Sequence, residues 1–325
     1  ATHPDRLAAR WINPGEIAGN GIDDDHNGFI DDVYGWDFWL NRATGTTTHY
    51  EAHSTAVAGM IGGGGNNGYG GVGAAWNVSV MSLGVSGSVN TWINALNYAV
   101  GKNARVINYS LGTPTFTQTL HDAICAAPII VTASSGNQGF DLDNQANNWY
   151  PAKFDCANII TVGASNCTAN SNGQLNFNFG ATTVDLVAPG ADIVTDNGPL
   201  NPGPCVPSGR AVTGCAWSCQ GCAIVPPACG SDDPNVLSTS GGCGPLVELS
   251  GTSFSAPLVA GILSLGYSID SGMTITQAKN ALLTTCDVSA PYQGKYVCNG
   301  KANAYRFLQS VQTLGGSPPG RCCRK

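Results

Sequence analysis

The sequence predicts an α/β fold built around a mostly parallel β-sheet, and three features carry that expectation. Short apolar runs alternate with segments of helical period through the middle of the chain, the pattern of βαβ units. Near the C-terminal end, residues 255–268 are apolar almost all round, with small residues at Ala256, Ala260 and Gly261, as expected of a helix buried in the core. A chain of 325 residues with 42% hydrophobic content can bury a substantial core around such a sheet.

Taken in order, residues 78–83 read as a strand and 92–100 as a helix with apolar positions at Trp92, Ile93, Leu96 and Ala99. Residues 105–110 read as the next strand and 117–126 as a helix. Residues 129–133 and 159–164 read as two further strands. Two segments break the rhythm. Residues 13–37 are polar and acidic, whereas 198–244 hold six cysteines with many Pro and Gly, which suggests a disulfide-held excursion rather than a sheet element. The expected organisation is one domain over residues 1–312, interrupted by the cysteine-rich insert, with a loose tail at 313–325. No internal repeat is visible.

Charged residues make up 11% of the chain and glycine occurs 43 times, a composition suited to a loop-rich extracellular protein. The net charge of -7 arises mainly from the acidic run, with no block of Lys or Arg, so nucleic acid and anionic membranes are poor partners. Thirteen cysteines point to an oxidising or secreted location, and Cys286 and Cys298 read as one disulfide. The longest apolar runs, such as 258–265, fall short of the ~20 residues of a membrane span. The chain starts at Ala1 without a basic or apolar leader, as expected of a processed form or a fragment. Oligomeric state is not readable.

The most informative stretch is Leu249-Ser250-Gly251-Thr252-Ser253-Phe254-Ser255-Ala256-Pro257-Leu258-Val259-Ala260-Gly261. It places Ser253 at the start of the apolar helix, where free backbone N–H groups stabilise developing negative charge. An N-cap serine is the plain alternative. The stretch resembles the subtilisin family's G-T-S-M-A-x-P-H-V-A-G, with Phe254, Ser255 and Leu258 as departures. Similarly, Tyr50-Glu51-Ala52-His53-Ser54-Thr55-Ala56-Val57-Ala58-Gly59 resembles G-H-G-T-H-V-A-G, and residues 131–137, ending Ser134-Ser135-Gly136-Asn137, resemble V-A-A-A-G-N.

The resemblance implies a three-layer, subtilisin-like α/β sandwich and a serine endopeptidase acting on polypeptides. Ser253 would be the nucleophile, His53 the general base and Asn137 the oxyanion donor, with no catalytic metal. Residues 106–112 resemble V-I-N-x-S-L-G, so Ser110, Leu111 and Gly112 would form an edge for an extended substrate, and Ser134, Ser135 and Gly136 another wall of its pocket. Leu111 would favour apolar side chains there. The family's aspartate precedes a segment similar to His3-Pro4-Asp5, which would place it upstream of Ala1. Asp37 lies between the Asp and His motifs and is not its substitute. A catalytically inactive binding or structural protein with the same fold is the alternative reading.

Asp23-Asp24-Asp25-His26-Asn27-Gly28-Phe29-Ile30-Asp31-Asp32 spaces oxygen donors around a glycine turn. Asp23, Asp25, Asn27 and the Phe29 carbonyl are candidate Ca²⁺ ligands, completed by Asp31 or Asp32 because Tyr34 stands where a bidentate Glu is expected. Such calcium would be structural. A solvated acidic loop competes with it. In the insert, Cys205, Cys215, Cys219, Cys222, Cys229 and Cys243 allow three disulfides, and a zinc site at Cys219 and Cys222 is the less favoured alternative. Asn77, Asn108 and Asn166 fit the N-glycosylation pattern, Asn108 in a strand that would bury it.

Overall fold

Alternation of apolar side chains along the central strands decides the architecture, because it leaves neither face of the sheet polar. The computed structural model describes residues 9–44, 51–65, 71–165, 177–191, 193–196, 237–238 and 246–314. Its strands are β1 Trp36–Asp37, β2 Arg42–Ala43, β3 Val106–Tyr109, β4 Ile130–Ser134, β5 Ile159–Ser165, β6 Leu186–Pro189, β7 Ile193–Asp196, β8 Leu237–Ser238, β9 Leu246–Leu249, β10 Asp287–Val288 and β11 Gly300–Lys301. Its α-helices are α1 Glu51–Gly62, α2 Val89–Gly101, α3 Gln118–Ala126, α4 Thr252–Ile269, α5 Ile275–Thr284 and α6 Ala304–Leu314.

The main sheet runs in the order β10-β11-β6-β5-β4-β3, parallel throughout except at the β10–β11 edge. Ile130, Ile160, Val162, Leu186 and Ala188 face a core shared with α1, α4, α5 and α6, in which Phe307 and Leu263 are fully buried. Val131, Ala133, Ile159 and Val187 face a second core built from Trp92 and Leu96 of α2 and Leu120 and Ile124 of α3. Adjacent residues of one strand thus serve opposite layers, and the fold is a three-layer α/β sandwich.

Two buried polar side chains tie the layers together. The Asn158 amide donates to the carbonyls of Ile124, Ala127 and Ile129, tying the end of α3 to the start of β4. Asp185 accepts from the Thr161 N–H and lies 3.2 Å from Lys279 of α5. Burial pushes the Asp185 carboxyl up from its ordinary range, and Lys279 and the Thr161 N–H oppose that rise.

Most expected elements coincide with observed ones to within a few residues, but residues 78–83 do not form a continuous strand. Val80 makes an isolated parallel bridge to Arg10 and Gly84 another to Asp37. The flanking segments are turn-rich and present single residues, so no ladder propagates. The insert was expected to contribute nothing to a sheet, yet residues 237–238 pair in parallel with β9, which itself pairs with β7. The insert's cysteines and tail residues 315–325 lie outside the described residues.

Cys286–Cys298 forms as expected, and Cys125–Cys156 additionally ties α3 to the loop before β5. Helix α4 is the single described helix long and apolar enough to cross a membrane. It is instead enclosed between the sheet and its neighbouring helices, with Ala256, Val259 and Leu263 wholly buried.

Candidate active site

Three connections meet at the first turn of α4, and together they determine what the site can do. The turn is anchored first by the Gly251 N–H, which donates to the Gly190 carbonyl just beyond β6 at 2.6 Å. Pro257 lies inside the helix and has no N–H, so the Ser253 carbonyl four residues earlier loses its helical donor. The Ser110 hydroxyl, at the end of β3, supplies the replacement at 2.7 Å. Ser110 is in turn held by the Asn108 amide at 2.8 Å, and Asn108 accepts from the Thr132 hydroxyl at 3.1 Å. Asn108 is thereby committed to the interior network.

Asn137 provides the second connection. Its side-chain carbonyl accepts from both the Thr252 N–H and the Thr252 hydroxyl, each at 3.0 Å. With that oxygen occupied, the exposed amide is oriented toward the segment before Ser253, and its Nδ2 would lie 3.4 Å from a methyl built on Gly251. The Gly136 N–H donates to the Thr252 hydroxyl at 3.1 Å, closing the link. Gly136 has φ +100, and a Cβ there would meet the Asn178 amide at 2.5 Å, so this position requires glycine.

His53, the third residue of α1, provides the last connection. Helix α1 packs closely on α4, since a Cβ on Gly261 would fall 3.0 Å from the Ile61 carbonyl. This brings the His53 ring within 5.7 Å of the Phe254 ring, centroid to centroid, beside Ser253 in sequence. The side chain keeps an exposed surface, but protein packed around the ring lowers its pKa from the ordinary 6.5 by burial. The neutral, proton-accepting form is therefore favoured. The Ser253 hydroxyl donates to the Ser110 carbonyl at 3.4 Å, a long bond. Among the described side chains no carboxylate is paired with His53, and Asp37 instead accepts from the Trp39 and Leu40 N–H groups.

Of the substrate-edge candidates, Ser110, Leu111 and Gly112 continue β3 toward Ser253, all three half-buried. Ser134 and Ser135 are buried, and the Ser135 hydroxyl donates inward to the Asn178 carbonyl at 3.0 Å. Asn178 itself carried no signal in the sequence. It is fully buried, donates to the Ser135 carbonyl and Gln138 side chain, and accepts from the Gln138 and Phe140 N–H groups, stapling the loop that presents Asn137.

In the acidic loop the candidate ligands separate. Asp23 and Asp25 gather with Glu16, which sequence reasoning missed, their carboxylate oxygens lying within 4.8 Å of one another. One oxygen each of Glu16 and Asp25 is buried without a partner. Asp31 turns away to accept from Gly19 and Gly21, the Asn27 carbonyl accepts from Phe29, and Asp32 is buried beneath Asn13, Asn27 and Tyr98. Burial raises the Asp25 pKa, but Lys102, Asn13 and the Asn27 N–H outweigh it and hold that carboxyl below its ordinary value.

Ser253 at the start of a buried helix, His53 on the adjacent helix and the fixed Asn137 side chain are thus gathered at one end of the α/β sandwich. The description of the subtilase family matches residues 16–307, and the chain belongs to that family. Similar proteins include Subtilisin-like protease 1 of Plasmodium berghei (strain Anka), 25% identical over 320 residues that make up 92% of this chain and 46% of the relative. Subtilisin E of Bacillus subtilis (strain 168) is 32% identical over 185 residues, 54% of this chain and 46% of that protein. The chain thus spans about half the length of these relatives.

Among solved structures, a lanthipeptide protease aligns with a TM-score of 0.62 at 19% identity, over 94% of this chain and 83% of that one. A chain from a structure describing assembly of the subtilase cytotoxin SubAB aligns with a TM-score of 0.59, also at 19% identity, over 81% and 77%. These likenesses show the subtilisin-like fold.

Replacing Asn178 with alanine leaves several loop groups without partners. The expected cost is about 1–3 kcal/mol, read as a lower denaturation midpoint, with faster amide exchange at Gln138 and Phe140.

Proposed function

We propose that the chain is the catalytic domain of a secreted serine endopeptidase that cleaves peptide bonds through an acyl-enzyme on Ser253. The observation that carries this reading is the placement of Ser253 at the N-terminus of α4 beside an Asn137 amide whose carbonyl is fixed by Thr252. An extended polypeptide lies along Ser110, Leu111 and Gly112. The Ser253 hydroxyl attacks the scissile carbonyl as His53 takes its proton, and the resulting oxyanion accepts from the Asn137 amide and the Ser253 N–H. His53 then protonates the leaving amine. Water, deprotonated by the same imidazole, hydrolyses the ester and restores Ser253.

This cycle needs a carboxylate to hold His53 in the correct tautomer and to stabilise the imidazolium. A second reading, a non-catalytic binding protein on the same fold, is favoured by one observation: the Ser253 hydroxyl is directed to Ser110, while no described carboxylate pairs with His53. Strand β9 pairs with β7 and leads straight into Ser250 and α4. Glu16, Asp23 and Asp25 would hold a structural Ca²⁺, whose charge would offset their mutual repulsion and clamp the loop against Lys102 and α2.

A fluorophosphonate probe separates the two principal readings: labelling that disappears in Ser253→Ala supports the enzyme, and an unlabelled native protein supports the binding reading. The labelling rate should rise with pH as His53 loses its proton; burial alone would set the midpoint below 6.5. A midpoint above that value indicates a carboxylate beside the ring, because a nearby negative charge favours the protonated form. For calcium, a chelator should lower the melting temperature. Glu16→Gln with Asp23→Asn should abolish that dependence, and an unchanged melting temperature in the native protein argues against the ion.

A further inference from the structure

The two segments expected to wall the pocket for the residue before the scissile bond are bridged by a side chain of the protein itself. A Cβ built on Gly112 would meet Nε1 and Cε2 of Trp149 at 2.4 Å each, and one built on Gly136 would meet Cδ1 of the same indole at 3.0 Å. The five-membered ring of Trp149 is therefore wedged between the two glycines. Its backbone is well fixed. Tyr150 and Thr113 exchange hydrogen bonds of 2.8 and 2.9 Å, Thr113 following Gly112 directly, and the Trp149 carbonyl accepts from the Lys153 N–H at 3.0 Å. Trp149, half-buried, also packs against the second core.

We infer that Trp149 determines specificity by occupying the space between Gly112 and Gly136, so that the site accepts peptides with a small residue, glycine, alanine or serine, before the scissile bond. This rests on the endopeptidase reading of Ser253. Leu111 made an apolar preference the expectation from sequence, but the indole takes up the volume that a large apolar side chain needs. Rejection by steric overlap is stronger than preference by contact, since a clash with a fixed ring cannot be relieved by a small rotation.

The test measures binding separately from catalysis. Three N-acetyl tetrapeptides, identical except for a C-terminal Ala, Ser or Phe, are titrated calorimetrically into the Ser253→Ala protein, and fluorophosphonate labelling of Ser253 is followed in the native protein. The Ala and Ser peptides should bind at least about tenfold more tightly than the Phe peptide. Adding Trp149→Gly should remove or invert that ratio. Trp149→Phe, which keeps an aromatic ring against the glycines, should give an intermediate ratio and guards against misfolding of the glycine variant. Equal or tighter binding of the Phe peptide, an unchanged ratio in Trp149→Gly, or no binding of any peptide overturns the inference. Labelling without the ratio overturns only the specificity; the ratio without labelling overturns only the enzyme reading.

Discussion

The constraint on which the site depends is the hydrogen bonding of the first turn of α4. A helix start leaves backbone groups without internal partners, and a proline in the next turn adds one more orphan carbonyl. Here the orphan belongs to Ser253, and the hydroxyl that satisfies it comes from Ser110 at the end of β3. Thr252, one residue earlier, fixes Asn137 through two bonds and receives a third from Gly136. Ser253, Asn137 and the segment from Ser110 are thus positioned by one polar network, while each comes from a different element. A disturbance at any of them is felt by the others, because buried polar networks lose most when partly satisfied.

That network can be rigid because the layers behind it are. The parallel strands carry apolar residues on both faces, and α4 is buried from Phe254 to Leu263, so the end of the sheet from which Ser110, Asn137 and Gly190 emerge is fixed by two cores at once. The acidic loop is attached to the same body through α2. Tyr98 donates to the buried Asp32, and burial together with that bond pushes its phenol far above the ordinary range, so it remains a neutral donor. Lys102, one turn further on, pairs with Asp25. Charge in that loop is therefore tethered to the scaffold, not left to solvent.

Much of this was legible in the sequence. The alternation of apolar and helical segments pointed to β3, α3, β4 and β5, and the all-round apolar run to α4, because those signals depend on burial alone. Residues 78–83 misled, since strand character needs neighbours that can extend a ladder, and the segments on either side supply single bridges. Ser253, His53 and Asn137 were visible as residues within motifs. Asn178, Trp149 and Glu16 were not: Asn178 meets Ser135 and Trp149 meets Gly112 only across long stretches of chain, and Glu16 joins Asp23 and Asp25 from outside the acidic run. The Cys125–Cys156 pair was hidden as well, its partners standing 31 residues apart in sequence, whereas Cys286 and Cys298 are 12 apart.

By itself, the sequence determined the fold class, the subtilase resemblance and the residue types available for chemistry, since these follow from hydrophobic period and local motif. Tertiary structure alone decided which side chains share a hydrogen bond and which volume remains open. It directs the Ser253 hydroxyl to Ser110, orients the Asn137 amide through Thr252, and places Trp149 between the two glycines. The physical reason is that hydrogen bonds and steric exclusion act over a few ångströms in space, and residues far apart along the chain meet at that range only after the two cores have formed.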